Sequence, residues 1–149
     1  MTDTGITAFD RTIHTTNVWL HDLMNQMGWL DKHHAYQALR AVLHALRDRL
    51  AVDQAAALGA QLPLLIRGAY YEGWHPHGKP LKERKKEEFL AHVAMAFPND
   101  PLFNSEEVAR AVFRVLAKHV TPGEIQHVKL TLPGEIRLLW AEETHALWF

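Results

Sequence analysis

Cysteine is absent from this 149-residue chain, which excludes disulfide staples, thiolate metal sites and cysteine nucleophiles. Long apolar runs are missing too: none approaches the roughly 20 residues needed to span a bilayer, so no membrane contact is expected. Neither sign of charge dominates, with 16 Lys and Arg against 17 Asp and Glu. No strong global field then draws in nucleic acid or an anionic membrane. The opening MTDTGITAFD lacks a basic region followed by an apolar stretch, so no secretory signal is expected and the expected location is the cytoplasm. There is no Gly-x-Ser-x-Gly elbow, no phosphate-cradling glycine loop and no dinucleotide fingerprint. The expectation is a protein that is not an enzyme and carries no cofactor. Period-two alternation is absent as well, which argues against a sheet.

What the chain does have is a globular composition, 48% hydrophobic and 22% charged, and a likeness to itself. Shifted by 70 positions without a gap, Arg40, Ala41, Val42 and Leu46 fall on Arg110, Ala111, Val112 and Leu116. Leu62, Pro63, Ile66 and Arg67 fall on Leu132, Pro133, Ile136 and Arg137. Tyr70 meets Trp140, and Trp19, Leu20, Leu23 and Met27 meet Phe89, Leu90, Val93 and Phe97. Amphipathic helices alone account for matched apolar spacing. They account poorly for a proline and two arginines kept in one frame. The fold expected is all-α, a compact helical bundle of two tandem copies of one helical unit offset by 70 residues. It forms a single domain over 1–149, with repeat one about 8–72, a linker about 73–80 and repeat two about 81–142.

The helices can be placed from their stripes and ends. Phe9, Ile13, Thr16, Leu20, Leu23 and Met27 recur at three- and four-residue steps, and Gly28 closes that helix. Asp31 suits the N-cap of the next, with Ala35, Leu39, Val42, Leu46 and Leu50 inward. A third helix starts near Val52, and Pro63 opens a short fourth as its first residue, where a missing N–H costs nothing. In the second copy Asn104 with Glu107, and Thr121 with Glu124, have capping-box spacing. Pro133 again opens a short last helix. Leu46 and Leu116 are the expected equivalent core anchors. The run KERKKEE sets cations against the positive end of a helix dipole, so that helix should start late.

The 11 histidines invite a metal reading, but no two have the i, i+3 or i, i+4 spacing of a helical site. His14 and His21 share a face about 10 Å apart along the axis. Glu124–His127 and Glu142–His145 have the Glu-x-x-His spacing of di-iron bundles, yet Glu124 reads better as a cap and Glu142 sits in a tail. The simplest reading is surface histidines and no metal. Adjacent acids such as Glu106–Glu107 read as solvated faces. The helix-turn-helix from Arg40 to Gln61 offers DQAAALGAQL where a DNA-reading helix needs basic and amide side chains, so no nucleic acid is expected.

The segment Glu72–Pro80, EGWHPHGKP, is the one break in the pattern. Tyr70 reads as core and Trp74 as cover for the core's edge. A binding surface, if present, is expected here: Tyr71, Trp74, His75, His77 and Lys79 combine aromatic anchors, two imidazoles and a cation. The first expectation is a protein partner or self-association. The alternative is a small-ligand, haem or metal binder using a pocket between the repeats and the histidines. The segment LRAVLHALRDRLAVDQAAALGAQLPLLIRGAYYEGW, followed by Thr121-Pro122-Gly123-Glu124 and LPGEIRLLW, closely resembles the bacterial family known as domain of unknown function 2267. The resemblance runs from about Phe9 to Trp140. It implies a small helical protein without an assigned activity, and it transfers no catalytic residues.

Overall fold

The computed structural model describes residues 4–140, and among them there are eight helices and no strand. α1 (Thr7–Met27) ends at Gly28, whose left-handed φ of 70° lets Trp29 N–H reach back to the Met24 carbonyl. α2 (Lys32–Arg47) begins at Asp31, whose carboxylate accepts the His33 N–H at 2.9 Å. α3 (Val52–Ala60) and α4 (Leu64–Tyr71) follow. After a long connection come α5 (Lys86–Ala94), α6 (Ser105–His119), α7 (Pro122–Thr131) and α8 (Gly134–Arg137), the last running into a single 3₁₀ turn, Leu138–Trp140. Asn104 accepts the Glu107 N–H at 3.0 Å and Thr121 accepts the Glu124 N–H at 3.4 Å, so each polar cap answers one of the helix-start donors.

Four helices make the body. α1 packs on both α2 and α6, α5 packs on both α6 and α2, and α2 meets α6 across the centre. α3 and α7 pack together, α4 lies over α1 and α2, and α8 lies against α5 with the 3₁₀ turn on α6. The stripes of α2 and α6 supply most of the interior, from Ala35 to Leu46 and from Val108 to Leu116. Two arginines stitch the short helices to their predecessors. Arg67 Nη2 donates to the Leu62 carbonyl at 2.9 Å, and Arg137 Nη2 donates to the Leu132 carbonyl at 2.8 Å. A carbonyl left unpaired at a helix end thereby gains a charged donor.

Several expectations need correcting. Pro63 and Pro133 stand one position earlier than predicted, at the N-caps of α4 and α8, where each carbonyl accepts from the arginine four residues on. Phe9 is 46% exposed, because the first turns of α1 overhang the body, and Thr12 and Trp19 are buried instead. Glu124 does not close a capping box, since its carboxylate accepts from Gln54 Nε2. Glu106 is no solvated bystander: it pairs with Arg110 and Lys86. The break extends past Pro80, leaving Glu72 to Lys85 outside any helix. The late start expected for the KERKKEE helix is seen, at Lys86. Glu142, Glu143 and His145, like the last two residues assigned to repeat two, lie outside the described residues.

Leu46 and Leu116 have no exposed surface. Leu→Ala at either should cost about 2–5 kcal/mol, the lost transfer energy plus the cavity left behind. Urea unfolding measures it, and a loss below about 1 kcal/mol would show that the site collapses around the smaller side chain.

Candidate functional site

The connection from Glu72 to Lys85 is irregular but tied down. Arg47 and Arg49, both buried at the end of α2, do most of the tying. Arg47 Nη1 donates to the carbonyls of Tyr70 at 2.6 Å and Glu72 at 2.7 Å. Arg49 Nη1 donates to the Ala45 carbonyl at 3.0 Å, its Nη2 pairs with the Glu83 carboxylate, and its guanidinium lies 5.5 Å from the centre of the Phe89 ring. Burial pulls the Arg49 pKa down, and the Glu83 and Asp48 carboxylates push back. A buried guanidinium is tolerable only with such partners. Between these anchors Leu81 N–H donates to the Asp48 carbonyl at 2.8 Å. Arg40 grips the start of the segment through Glu72, at 2.7 Å.

Of the residues singled out from sequence, the structure brings two together. The rings of Tyr71 and Trp74 are 5.4 Å apart, and both pack half-buried against the core. Tyr71 closes over Gly59 so tightly that a Cβ there would collide with its ring, which explains a glycine inside α3 despite its helix penalty. The Trp74 indole N–H is buried without a partner among the described residues. His75 and His77 are exposed and Lys79 is half-buried. Among the described residues their side chains make no hydrogen bond or ion pair, and neither do those of the exposed Lys82, Arg84 and Lys85. The segment therefore turns its two carboxylates, Glu72 and Glu83, onto arginines of the body and leaves its cations unpaired. The surface so formed is cationic, with an aromatic root.

Sequence reasoning missed four histidines that are not surface bystanders. His34 sits among Trp29, Phe97 and Phe103, with its ring centre 4.3 Å from the Trp29 ring. His92 faces Glu83 at 3.4 Å. His119 stacks on Trp19 at 4.9 Å and 18°, and its Nε2 meets the Asp22 carboxylate at 2.6 Å. Burial pushes the Asp22 pKa up, but the hydrogen bonds from His119 and Lys118 outweigh it and the net shift is downward. His44 Nε2–H donates to the Ala69 carbonyl at 2.7 Å. The signal was present for one of these: the 70-residue shift sets His119 against Arg49 and Trp19 against Phe89. His44 and His92 line a cleft of about 470 Å³ between α2 and α5, together with Arg40, Asp48 and Met95. Among the described residues no group of three or more His, Asp or Glu side chains is placed to hold a metal ion. The Glu124–His127 pair is taken apart by the Gln54 contact, and His127 is exposed.

Burial holds the His44 imidazole below its ordinary 6.5, against the opposing pull of the Ala69 carbonyl. The unfolded chain then takes up that proton more readily than the folded one. The stability contribution is complete above about pH 6.5 and is lost as pH falls through 6.5 toward the depressed folded value. Urea unfolding at about pH 7.5 and about pH 5.5 should show this loss in the unaltered chain and a smaller one in His44→Gln. Equal losses in the two proteins would mean that His44 does not titrate in this way.

Among the described residues no helix is long and apolar enough to cross a membrane. No curated protein matches the chain at a significant level. A family model described as an uncharacterized conserved protein, DUF2267, matches residues 16–139, and the chain therefore belongs to that family.

Proposed function

We propose that this protein is a non-catalytic helical interaction module of the cytoplasm, and that the connection over residues 73–85 is its contact surface for an acidic segment of a protein partner. One observation carries the reading: Glu72 and Glu83 are both engaged by arginines of the body, through Arg40 and Arg49, while the side chains of Lys82, Arg84 and Lys85 are exposed and, among the described residues, pair with no carboxylate. In a chain whose overall charge is −1, that arrangement concentrates positive charge on one tethered segment. The half-buried Tyr71 and Trp74 give it a rigid aromatic base, the kind of anchor that dominates interface energy. His75, His77 and Lys79 complete the surface.

We further infer that the body is a tandem duplication, with the two units sharing one core as a single domain. Four features support this. The helices run in the same order and with similar bounds 70 residues apart, the first of each set differing most in length. Arg67 and Arg137 make the same backward contact. Arg49 on Phe89 is answered by His119 on Trp19, which is what exchange of equivalent positions across a two-fold axis produces. Gln54 bonds Glu124, its own counterpart, as residues beside such an axis must. A second functional reading, a small-ligand or haem pocket between the units, draws on the α2–α5 cleft with His44 and His92. An absorption spectrum and metal analysis of untagged protein would detect a bound chromophore or ion.

The test of the main reading uses a fluorescent oligoglutamate peptide at low ionic strength, followed by anisotropy. Lys82→Glu with Arg84→Glu should weaken binding about tenfold or more, and added salt should weaken it in the unaltered protein. His75→Ala with Lys79→Ala should weaken it less, with the circular dichroism unchanged in both variants. Unaltered affinity in both, or tighter binding to single-stranded DNA of equal charge, would defeat the proposal.

A further inference from the structure

A second cleft, of about 460 Å³, opens between the N-terminal half of α1 and the α3–α4 junction. Its polar lining is Arg11, Thr12, Thr15, Gln61, Arg67 and His119, over a base that includes Trp19 and Leu62. Among the described residues no carboxylate lines it.

Each of these groups has its own account, and together they leave a surplus of donors. Arg11, on the exposed face of α1, makes no hydrogen bond or ion pair among the described residues. Arg67 spends Nη2 on the carbonyls of Leu62 and Ala60, but its Nε is buried without a partner among the described residues. At the corresponding place in the second unit Arg137 Nε is satisfied, donating to the Lys129 carbonyl at 2.7 Å. Gln61 Oε1 accepts the Thr121 N–H at 3.2 Å, which leaves the amide nitrogen of that side chain free to donate. Thr12 Oγ1 accepts the Leu65 N–H at 3.1 Å, which draws the start of α4 toward the cleft. His119 is already committed to Asp22, so the uncompensated charge belongs to Arg11 and Arg67. Two guanidiniums that share a cleft with no anion repel one another, and an anion between them relieves that repulsion. Guanidinium groups present paired donors matched to carboxylate and phosphate. The volume lies within the range of small-molecule sites, about 300–1,000 Å³.

We propose that this cleft binds the oxyanion head of a small organic molecule, a phosphate or carboxylate group held between Arg11 and Arg67, with Gln61 and Thr15 donating to it. The site is separate from the 73–85 surface and stands or falls without it.

Titration calorimetry with inorganic phosphate and with malonate, each against chloride at equal ionic strength, tests the proposal. Saturable binding of either is expected, with none for chloride. Preference for phosphate assigns a phosphate monoester, and preference for malonate assigns a carboxylate. Arg67 also holds the α3–α4 junction, so its removal could unfold the protein, and the informative variants are the exposed Arg11→Ala and Gln61→Ala. Arg11→Ala should weaken binding about tenfold or more and Arg11→Lys should restore part of it, while Lys82→Glu with Arg84→Glu should leave it unchanged. Absent binding of both anions, an equal response to chloride, or full affinity in Arg11→Ala would overturn it.

Discussion

At the end of α2 two buried guanidinium groups find their partners in α4, the connection beyond it and the start of α5. Arg47 is held by the carbonyls of Tyr70 and Glu72, and Arg49 by the Glu83 carboxylate and the face of Phe89. Desolvating either cation without those partners would cost several kcal/mol, so the connection cannot drift away without exposing or orphaning them. A fourteen-residue stretch outside any helix is thereby fixed at both ends. Its aromatic root, its turn and the beginning of α5 all follow from that constraint.

The same constraint sets the polarity of the surface. Glu72 and Glu83 face the body because Arg40 and Arg49 are there, and the intervening lysines and arginine are left to solvent. In the duplication we propose, the positions 70 residues beyond Arg47 and Arg49 hold Ala117 and His119. His119 repeats the aromatic contact of Arg49 but takes its carboxylate from Asp22 inside α1. One unit therefore anchors a connection and the other anchors a helix. The functional proposals lie where the two units differ: the tethered basic segment, and the cleft where Arg67 keeps an unpaired Nε that Arg137 does not have.

Much of the fold was legible beforehand. Gly28, Asp31, Asn104 and Thr121 mark helix ends through hydrogen bonds spanning at most five residues, and the stripes of α2 and α6 repeat at the helical period. The site was legible only in outline. Tyr71 and Trp74 pack half-buried against the core, but the arginines that position their segment are buried ones, Arg47 on the inward side of α2 and Arg49 just past its end, where a stripe analysis records apolar residues. The bland reading of the histidines failed for His34, His44, His92 and His119 because their surroundings are assembled by other helices and by the connections between helices.

What the sequence by itself determined was local and periodic: an all-helical chain, the end of α1 at Gly28, the polar caps at Asp31, Asn104 and Thr121, the break after Tyr71 and the family. Backbone hydrogen bonds and a 3.6-residue period act within one or two turns, so neighbouring residues carry that information. Only the tertiary structure decided which charges are spent and which remain. His119 meets Asp22 across 97 positions, Arg49 meets Glu83 across 34, and Arg47 meets Glu72 across 25. These pairings depend on how α1 packs on α6, α2 on α5 and α4 on α2, because Coulomb attraction and desolvation are set by distance in space and not by separation along the chain.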